Sequence, residues 1–476
     1  MSFLAGGWPA TTARAEPPPL ALAERLNAIL DAPAFAASFW GVEVRGLRSG
    51  STLYSRNAVR SFTPASIAKL FVTAAILDAQ GPDERVRTTV ETAGRIDRMG
   101  RVLGDVYLVG RGDPALYAQP TARQPVPALE ALANTLRDAG ITRIEGRLLA
   151  DATLFPGPRR APDWAWDDLV WWYGAEVSAL SFNDNTATLR VSPGESPGDP
   201  ALVERFPLSS YYSLDAEVRT VPAGAAAELR VTRELGENRI RLTGTVTLGA
   251  EPRTLHVALE DPALFAATVF EELLRARGIV VTRGVSVATR PVSGRAGVLA
   301  VHEGPSLAER VTAVNKNSQN LHAELLLRLL GASARGTGTF EAGREALLDF
   351  LRRAGVPLVG LDLRDASGLS QTGLVTPEQV GRLLVHMHAH PHAAAWAASL
   401  PLAGSDGSLR NRLVDTSAAG AVAAKTGTLT HVHALAGYAT GRDGDRLAFV
   451  ALLDRFSGDA RTAQAALDAV ARTLVE

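Results

Sequence analysis

Three short elements of this chain carry side chains that could do chemistry together. In Ser66-Ile67-Ala68-Lys69 the serine and lysine stand three residues apart behind Pro64, at the head of an apolar run, so on a helix they share one face. A lysine that has lost its proton could take the serine proton, and a helix N-terminus favours the negative charge that develops there. Ser318-Gln319-Asn320 offers a hydroxyl that could pass a proton to a leaving group and an amide that could hold a substrate carbonyl. Ser318 or Asn320 would serve equally well as a helix N-cap. In Lys425-Thr426-Gly427-Thr428, a strand-like run, lysine and threonine supply donors for an anion, and glycine lets a substrate backbone approach.

Each element is weak alone. What joins them is lysine: the 49 basic residues of the 476-residue chain include only Lys69, Lys316 and Lys425, the rest being arginine. Arginine cannot give up its proton and lysine can, so the three lysines stand out, and each lies in or beside one of the three elements. The formal net charge of −1 gives no electrostatic case for nucleic acid, which needs a basic excess or stripe. Cysteine is absent, which excludes disulfides, thiolate metal sites and a cysteine nucleophile. No apolar run approaches the roughly 18 residues of a membrane-spanning helix.

The elements that must position these groups can be read around them. A helical stretch covers Leu20–Leu30, and strands Phe39–Val44 and Thr52–Ser55 are joined at Ser49-Gly50. Ser66 to Ala79 reads as one helix, introduced by Pro64 and stopped by Gly81-Pro82. From about residue 90 to 290 short alternating segments dominate, as in Ile240, Leu242, Val246 and Leu248, with a turn at Gly236-Glu237-Asn238 leading back to Leu229 and Val231. Helical patterns return at Leu321–Leu330 and Ala342–Ala354. Strands through Ala421–Thr428, Ala434–Thr440 and Leu447–Leu453 and a helix from Ala460 then close the chain. The expected class is α+β: an antiparallel sheet covered by helices, interrupted by a large β-rich insertion. The expected divisions are a tail at 1–19, a first part of the main domain at 20–90, inserted subdomains at 91–295, and the second part at 296–476. Ala13-Arg14-Ala15 resembles the end of an export signal, but only Phe3-Leu4-Ala5 stands for its apolar core, so 1–19 is a truncated signal or a disordered tail.

S-x-x-K, a serine-asparagine element and K-T-G form the set found in β-lactamases and penicillin-binding proteins. The chain resembles the low-molecular-mass class C penicillin-binding proteins, the D-alanyl-D-alanine carboxypeptidase/endopeptidase family of S13 serine peptidases. Further segments carry the likeness: Gly112-Asp113-Pro114, Trp164-Ala165-Trp166-Asp167-Asp168, Ser178-Ala179-Leu180-Ser181, Asp365-Ala366-Ser367-Gly368-Leu369-Ser370, Leu400-Pro401-Leu402-Ala403-Gly404, Asp406-Gly407-Ser408-Leu409 and Ala436-Gly437-Tyr438. So does the separation of 249 residues between Lys69 and Ser318, much longer than in compact β-lactamases. The chain departs from the pattern at Gln319, where many members have aspartate, at Ala366, where glycine is usual, and at Gln371, where arginine is frequent.

The resemblance implies a penicillin-binding, transpeptidase-like domain without cofactor. It implies action on the D-Ala-D-Ala ends of peptidoglycan stem peptides, β-lactams as inhibitors, and a periplasmic or other extracytoplasmic location. Ser66 would be the acylated nucleophile, Lys69 its base, Ser318 a proton relay and Asn320 a holder of the substrate amide. Lys425 would support the electrostatics, with Lys316 in a secondary role. Thr426 and Thr428, flanking Gly427, would bind the terminal carboxylate, and the amides of Ser66 and Thr428 would form the oxyanion hole. Trp164 with Asp167 or Asp168 would flank the diamino-acid side chain of the stem peptide. The rivals are a β-lactamase or esterase on the same fold and a non-catalytic wall-binding protein. His386 and His390 would share a helix face as a zinc pair, or merely cap an exposed helix end before Pro391. His431 and His433 are expected to alternate outward and receive no role.

Overall fold

The computed structural model describes residues 21–117, 126–442 and 444–476. The tail expected at 1–19 lies outside them. In chain order the main elements are α1 (Leu22–Leu30), β1 (Phe39–Gly46), β2 (Thr52–Arg56), α2 (Lys69–Gln80), α3 (Leu307–Asn317), α4 (Asn320–Arg335), α5 (Phe340–Arg353), α6 (Pro377–His388), β3 (Val422–Leu429), β4 (Val432–Thr440), β5 (Arg446–Asp454) and α7 (Ala460–Thr473).

The five strands form one sheet in the order β3-β4-β5-β1-β2, with every neighbouring pair antiparallel. Residues on successive positions face opposite sides, and each side has its own apolar core. Ala434, Ala436, Tyr438, Ala448, Val450 and Leu452 point to the face covered by α2, α4, α5 and α6. Leu435, Ala439, Phe449, Ala451 and Leu453 point to the face covered by α1 and α7. Burial on both faces explains why β4 and β5 read as unbroken apolar runs rather than alternating ones. In β3, Val422 and Ala424 belong to the α7 face, so Lys425 falls on the α2 face and Thr426 and Thr428 on the α7 face.

Every residue of α2 from Lys69 to Leu77 is buried, which makes it the central helix of its layer. The expected helix from Ser66 is in fact a 3₁₀ turn over Ala65–Ala68 running into α2. The turn is entered through Ala65 at φ 46°, and Gly368 packs against it: a Cβ on Gly368, itself at φ 73°, would lie 1.8 Å from the Ala65 carbonyl oxygen.

The chain between α2 and α3 builds a separate apolar core from Val90 to Ala300. A five-stranded sheet, including Arg85–Thr92, Val106–Val109 and Leu148–Asp151, and smaller sheets carry it, with helices Pro127–Asp138 and Pro262–Ala276. Strands Leu229–Thr232 and Arg239–Thr247 pair antiparallel with Val231 opposite Leu242, as the alternation indicated; Leu248 falls just past the strand.

Candidate active site

The three elements converge. Lys69 is completely buried, and its Nζ lies 2.8 Å from Ser66 Oγ, 2.7 Å from Asn320 Oδ1 and 2.5 Å from the Ser367 carbonyl oxygen. Removing an ammonium from water favours its neutral form, and burial brings the Lys69 pKa down to about 7, against an opposite pull from Asp365 and Glu324. A lysine at that value is poised to accept a proton near neutrality.

Ser318 occupies the joint between α3 and α4 at φ 58°, ψ 36°. Neither Ser318 nor Asn320 caps α4 with its side chain, so the capping alternative is set aside. The left-handed backbone turns Ser318 Oγ toward Ser66 Oγ, to which it donates at 3.0 Å. Lys425 Nζ, also fully buried, donates to Ser318 Oγ at 2.9 Å and to the Thr426 carbonyl at 2.8 Å. Burial, and then the nearby Lys69 charge, push the Lys425 pKa well down. Lys69, Ser66, Ser318 and Lys425 therefore form one continuous row of hydrogen bonds.

Asn320 spends its oxygen on Lys69 and one N–H on the Tyr173 carbonyl at 3.0 Å, which leaves its second N–H for a substrate. Lys316 points away from the row and pairs with Asp406. Asp406 also accepts from Leu402 N at 2.9 Å, which pins the loop carrying Ser408, and Ser408 Oγ in turn accepts from Thr426 Oγ1 at 2.7 Å. Trp164 Nε1 donates to Asp365 Oδ2 at 2.9 Å. Asp168 is hydrogen-bonded to the Tyr173 side chain, while Asp167 is exposed beside it.

β3 is an edge strand. Pro401 to Ala403 cover its first half, with the Ala424 amide donating to the Pro401 carbonyl at 2.9 Å. By the two-residue period of a strand, the amides of Thr426 and Thr428 point to the same outer edge. Gly427 faces the turn that carries Ser66: a Cβ there would come within 3.1 Å of the Pro64 carbonyl and 3.2 Å of Ala65 Cβ. The space that glycine leaves is thus filled on that side by the Ser66 turn rather than by a ligand backbone. On the α7 side Thr426 and Thr428 line a cavity of about 300 Å³ with Ser408, Arg412, His433 and Gln464.

His433 corrects the expectation of an outward residue, since it is 91% buried against Phe456. The cause is its register opposite Thr428, which turns it to the α7 face. His431 sits in the β3–β4 turn at φ 64° and donates to the Phe456 carbonyl. α6 ends at His388, yet the His386 and His390 rings lie side by side with centroids 5.7 Å apart. His390 Nε2 also lies 3.1 Å from Asp78 Oδ1, and among the described residues no group of three or more His, Asp or Glu side chains is placed to hold a metal ion. Two groups that the motifs did not mark lie against the site: Glu324, four residues beyond Asn320 on α4, and the Tyr173 carbonyl. The helical spacing from Asn320 was a usable signal for the first, and a backbone carbonyl leaves none.

This fold, with a buried lysine beside a partly exposed serine at the edge of an antiparallel sheet, defines a serine hydrolase of the penicillin-binding type. The chain belongs to the D-Ala-D-Ala carboxypeptidase 3 (S13) family, whose description matches residues 22–474, and is a serine-type carboxypeptidase. It is 37% identical over 467 residues to the D-alanyl-D-alanine carboxypeptidase of Actinomadura sp. (strain R39), covering 96% of this chain and 84% of the relative. Penicillin binding protein 4 (dacB) from Haemophilus influenzae has a similar structure, with a TM-score of 0.82 at 25% identity over 94% of this chain and 98% of that one. The same protein complexed with a β-lactam matches with a TM-score of 0.76, over 95% of this chain and 98% of that one.

Proposed function

We propose that the protein removes the terminal D-alanine from peptidoglycan stem peptides through an acyl-enzyme on Ser66. Neutral Lys69 takes the hydroxyl proton as Ser66 Oγ attacks the carbonyl of the penultimate D-alanine, and the amides of Ser66 and Thr428 hold the oxyanion. The C–N bond then breaks as Ser318, supported by Lys425, hands its proton to the departing amine, and the proton held by Lys69 replaces it on Ser318, which leaves Lys69 neutral again. Water attacks the ester with Lys69 again as base, releasing the shortened peptide and restoring Ser66. Thr426 and Thr428 receive the terminal carboxylate, and Trp164 with Asp167 or Asp168 borders the diamino acid. A cross-linked leaving group enters by the same route, which adds endopeptidase activity. β-Lactams acylate Ser66 and hydrolyse slowly, and the protein works outside the cytoplasm. Among the described residues no helix is long and apolar enough to cross a membrane.

The observation that carries this reading is the unbroken row from Lys69 through Ser66 and Ser318 to Lys425. The test is release of D-alanine from an acylated peptide ending in D-Ala-D-Ala, beside the Ser66→Ala variant. Release that the variant abolishes supports the reading. Absence of release, with rapid hydrolysis of penicillin instead, would make the protein a β-lactamase.

A further inference from the structure

Glu324 is a fully buried carboxylate that the acylation scheme leaves without a task. It lies one helical turn beyond Asn320 on the same face of α4. Asn320 reaches Lys69 Nζ directly, at 2.7 Å. Glu324 reaches it through the backbone. Its Oε1 accepts from Ala366 N at 3.0 Å and from Ser367 N at 2.8 Å, and the carbonyl of that same Ser367 accepts from Lys69 Nζ at 2.5 Å. One helix face therefore grips the lysine by two arms.

The segment Asp365–Ser370 belongs to no helix or strand, yet Asp365, Ser367 and Ser370 are 3%, 0% and 0% exposed. Buried backbone amides need partners, and with no ladder to supply them two carboxylates do so. Asp365 takes Gly368 N, Ser370 N, Ser367 Oγ and Trp164 Nε1, at 2.8 to 3.0 Å. Glu324 takes the amides of Ala366 and Ser367, the latter on the residue whose carbonyl meets Lys69, while Asp365 holds Gly368 N on the far side of that carbonyl.

We propose that Glu324 is a positioning residue for acylation: it seats the Ser367 carbonyl against Lys69 Nζ, and its negative charge supports the ammonium that forms when Lys69 takes the Ser66 proton. The proposal rests on Lys69 acting as the base. Lys69 faces Asp365 and Glu324, which favour its protonated form, and Lys425 on the other side of the serines. Glu324 faces Asp365, which disfavours its charge, and Arg328, which favours it; burial carries its pKa up to about 7. Above about pH 7, where Glu324 is ionised, the proton taken from Ser66 thus arrives beside buried carboxylates that act as its counter-charges.

The experiment is the rate of Ser66 acylation by a chromogenic cephalosporin from about pH 5 to 10, for wild type and Glu324→Gln, with thermal unfolding of both. Glutamine keeps an acceptor for the two amides and removes the charge. Expected are a near-native unfolding temperature, a plateau rate lower by about tenfold, and an acid limb moved about one unit to lower pH, because Lys69 holds its proton less tightly. An unchanged limb would overturn the proposal, whether the rate is unchanged or falls equally at every pH together with stability. If Glu324→Gln does not fold, Glu324→Asp replaces it, keeping the charge and shortening its reach: the proposal expects the native limb under a lower plateau, and a shifted limb would overturn it. Wild type that neither acylates nor releases D-alanine at any pH would instead refute Lys69 as base, and the Glu324 proposal would fall with it.

Discussion

Lys69 and Lys425 stand at opposite ends of one row of two hydroxyls, Lys69 Nζ 2.8 Å from Ser66 Oγ and Lys425 Nζ 2.9 Å from Ser318 Oγ, with 3.0 Å between the hydroxyls. Both amines are closed to water, and two ammonium charges this close oppose each other. Burial depresses both, and the Lys69 charge lowers Lys425 further. The row can therefore hold one proton more or fewer at little cost, which is what attack followed by amine departure requires.

The pH dependence follows from Lys69. Only its neutral form accepts the serine proton, and its pKa has been lowered to about 7, so kcat/KM should rise with pH through that value and then level. Lys69→Arg cannot lose its proton and should lose roughly 10²–10⁴ in acylation rate at every pH. A pH–rate profile of D-alanine release checks both, and an acid limb near pH 10 would contradict the assignment.

Gly368 should not tolerate a side chain. At φ 73°, with the Ala65 carbonyl 1.8 Å from a Cβ, Gly368→Ala must either strain its own backbone or displace the turn that carries Ser66. The strain alone costs about 1–3 kcal/mol, and displacement of the turn adds loss of acylation. Chemical denaturation and penicillin labelling of the variant read the two effects separately.

Trp164 meets the segment bearing Ser367 through its hydrogen bond to Asp365. Trp164→Phe keeps an aromatic ring but loses the indole N–H and with it the 2.9 Å bond to the buried carboxylate, at a cost of about 1–3 kcal/mol. Because Asp365 holds the segment bearing the Ser367 carbonyl, acylation should slow along with the loss of stability. Unchanged stability and rate would show that the bond carries neither.

The side chains proposed to react were marked in the sequence by rarity and spacing: lysine occurs three times, each time in or beside an element that the fold brings together. The closing strands were legible as short unbroken apolar runs, and the helices from their apolar periods. The groups that complete the site were less so. Glu324 lies inside an amphipathic helix where a carboxylate usually faces solvent, and only the tertiary fold shows it 2% exposed. The Ser367 and Tyr173 carbonyls have no residue-type signature at all. His433 was misread because alternation gives the period of a strand but not which of its faces a second helix, here α7, covers.

Acylation of Ser66 is read most simply from the intact mass of the protein after incubation with a penicillin, beside the Ser66→Ala variant. With Ser66 as the nucleophile, a stable one-to-one adduct forms on the protein, located on the peptide containing Ser66 and absent from the variant. An adduct that survives in Ser66→Ala, or intact drug with no adduct on the native chain, would contradict Ser66 as the nucleophile.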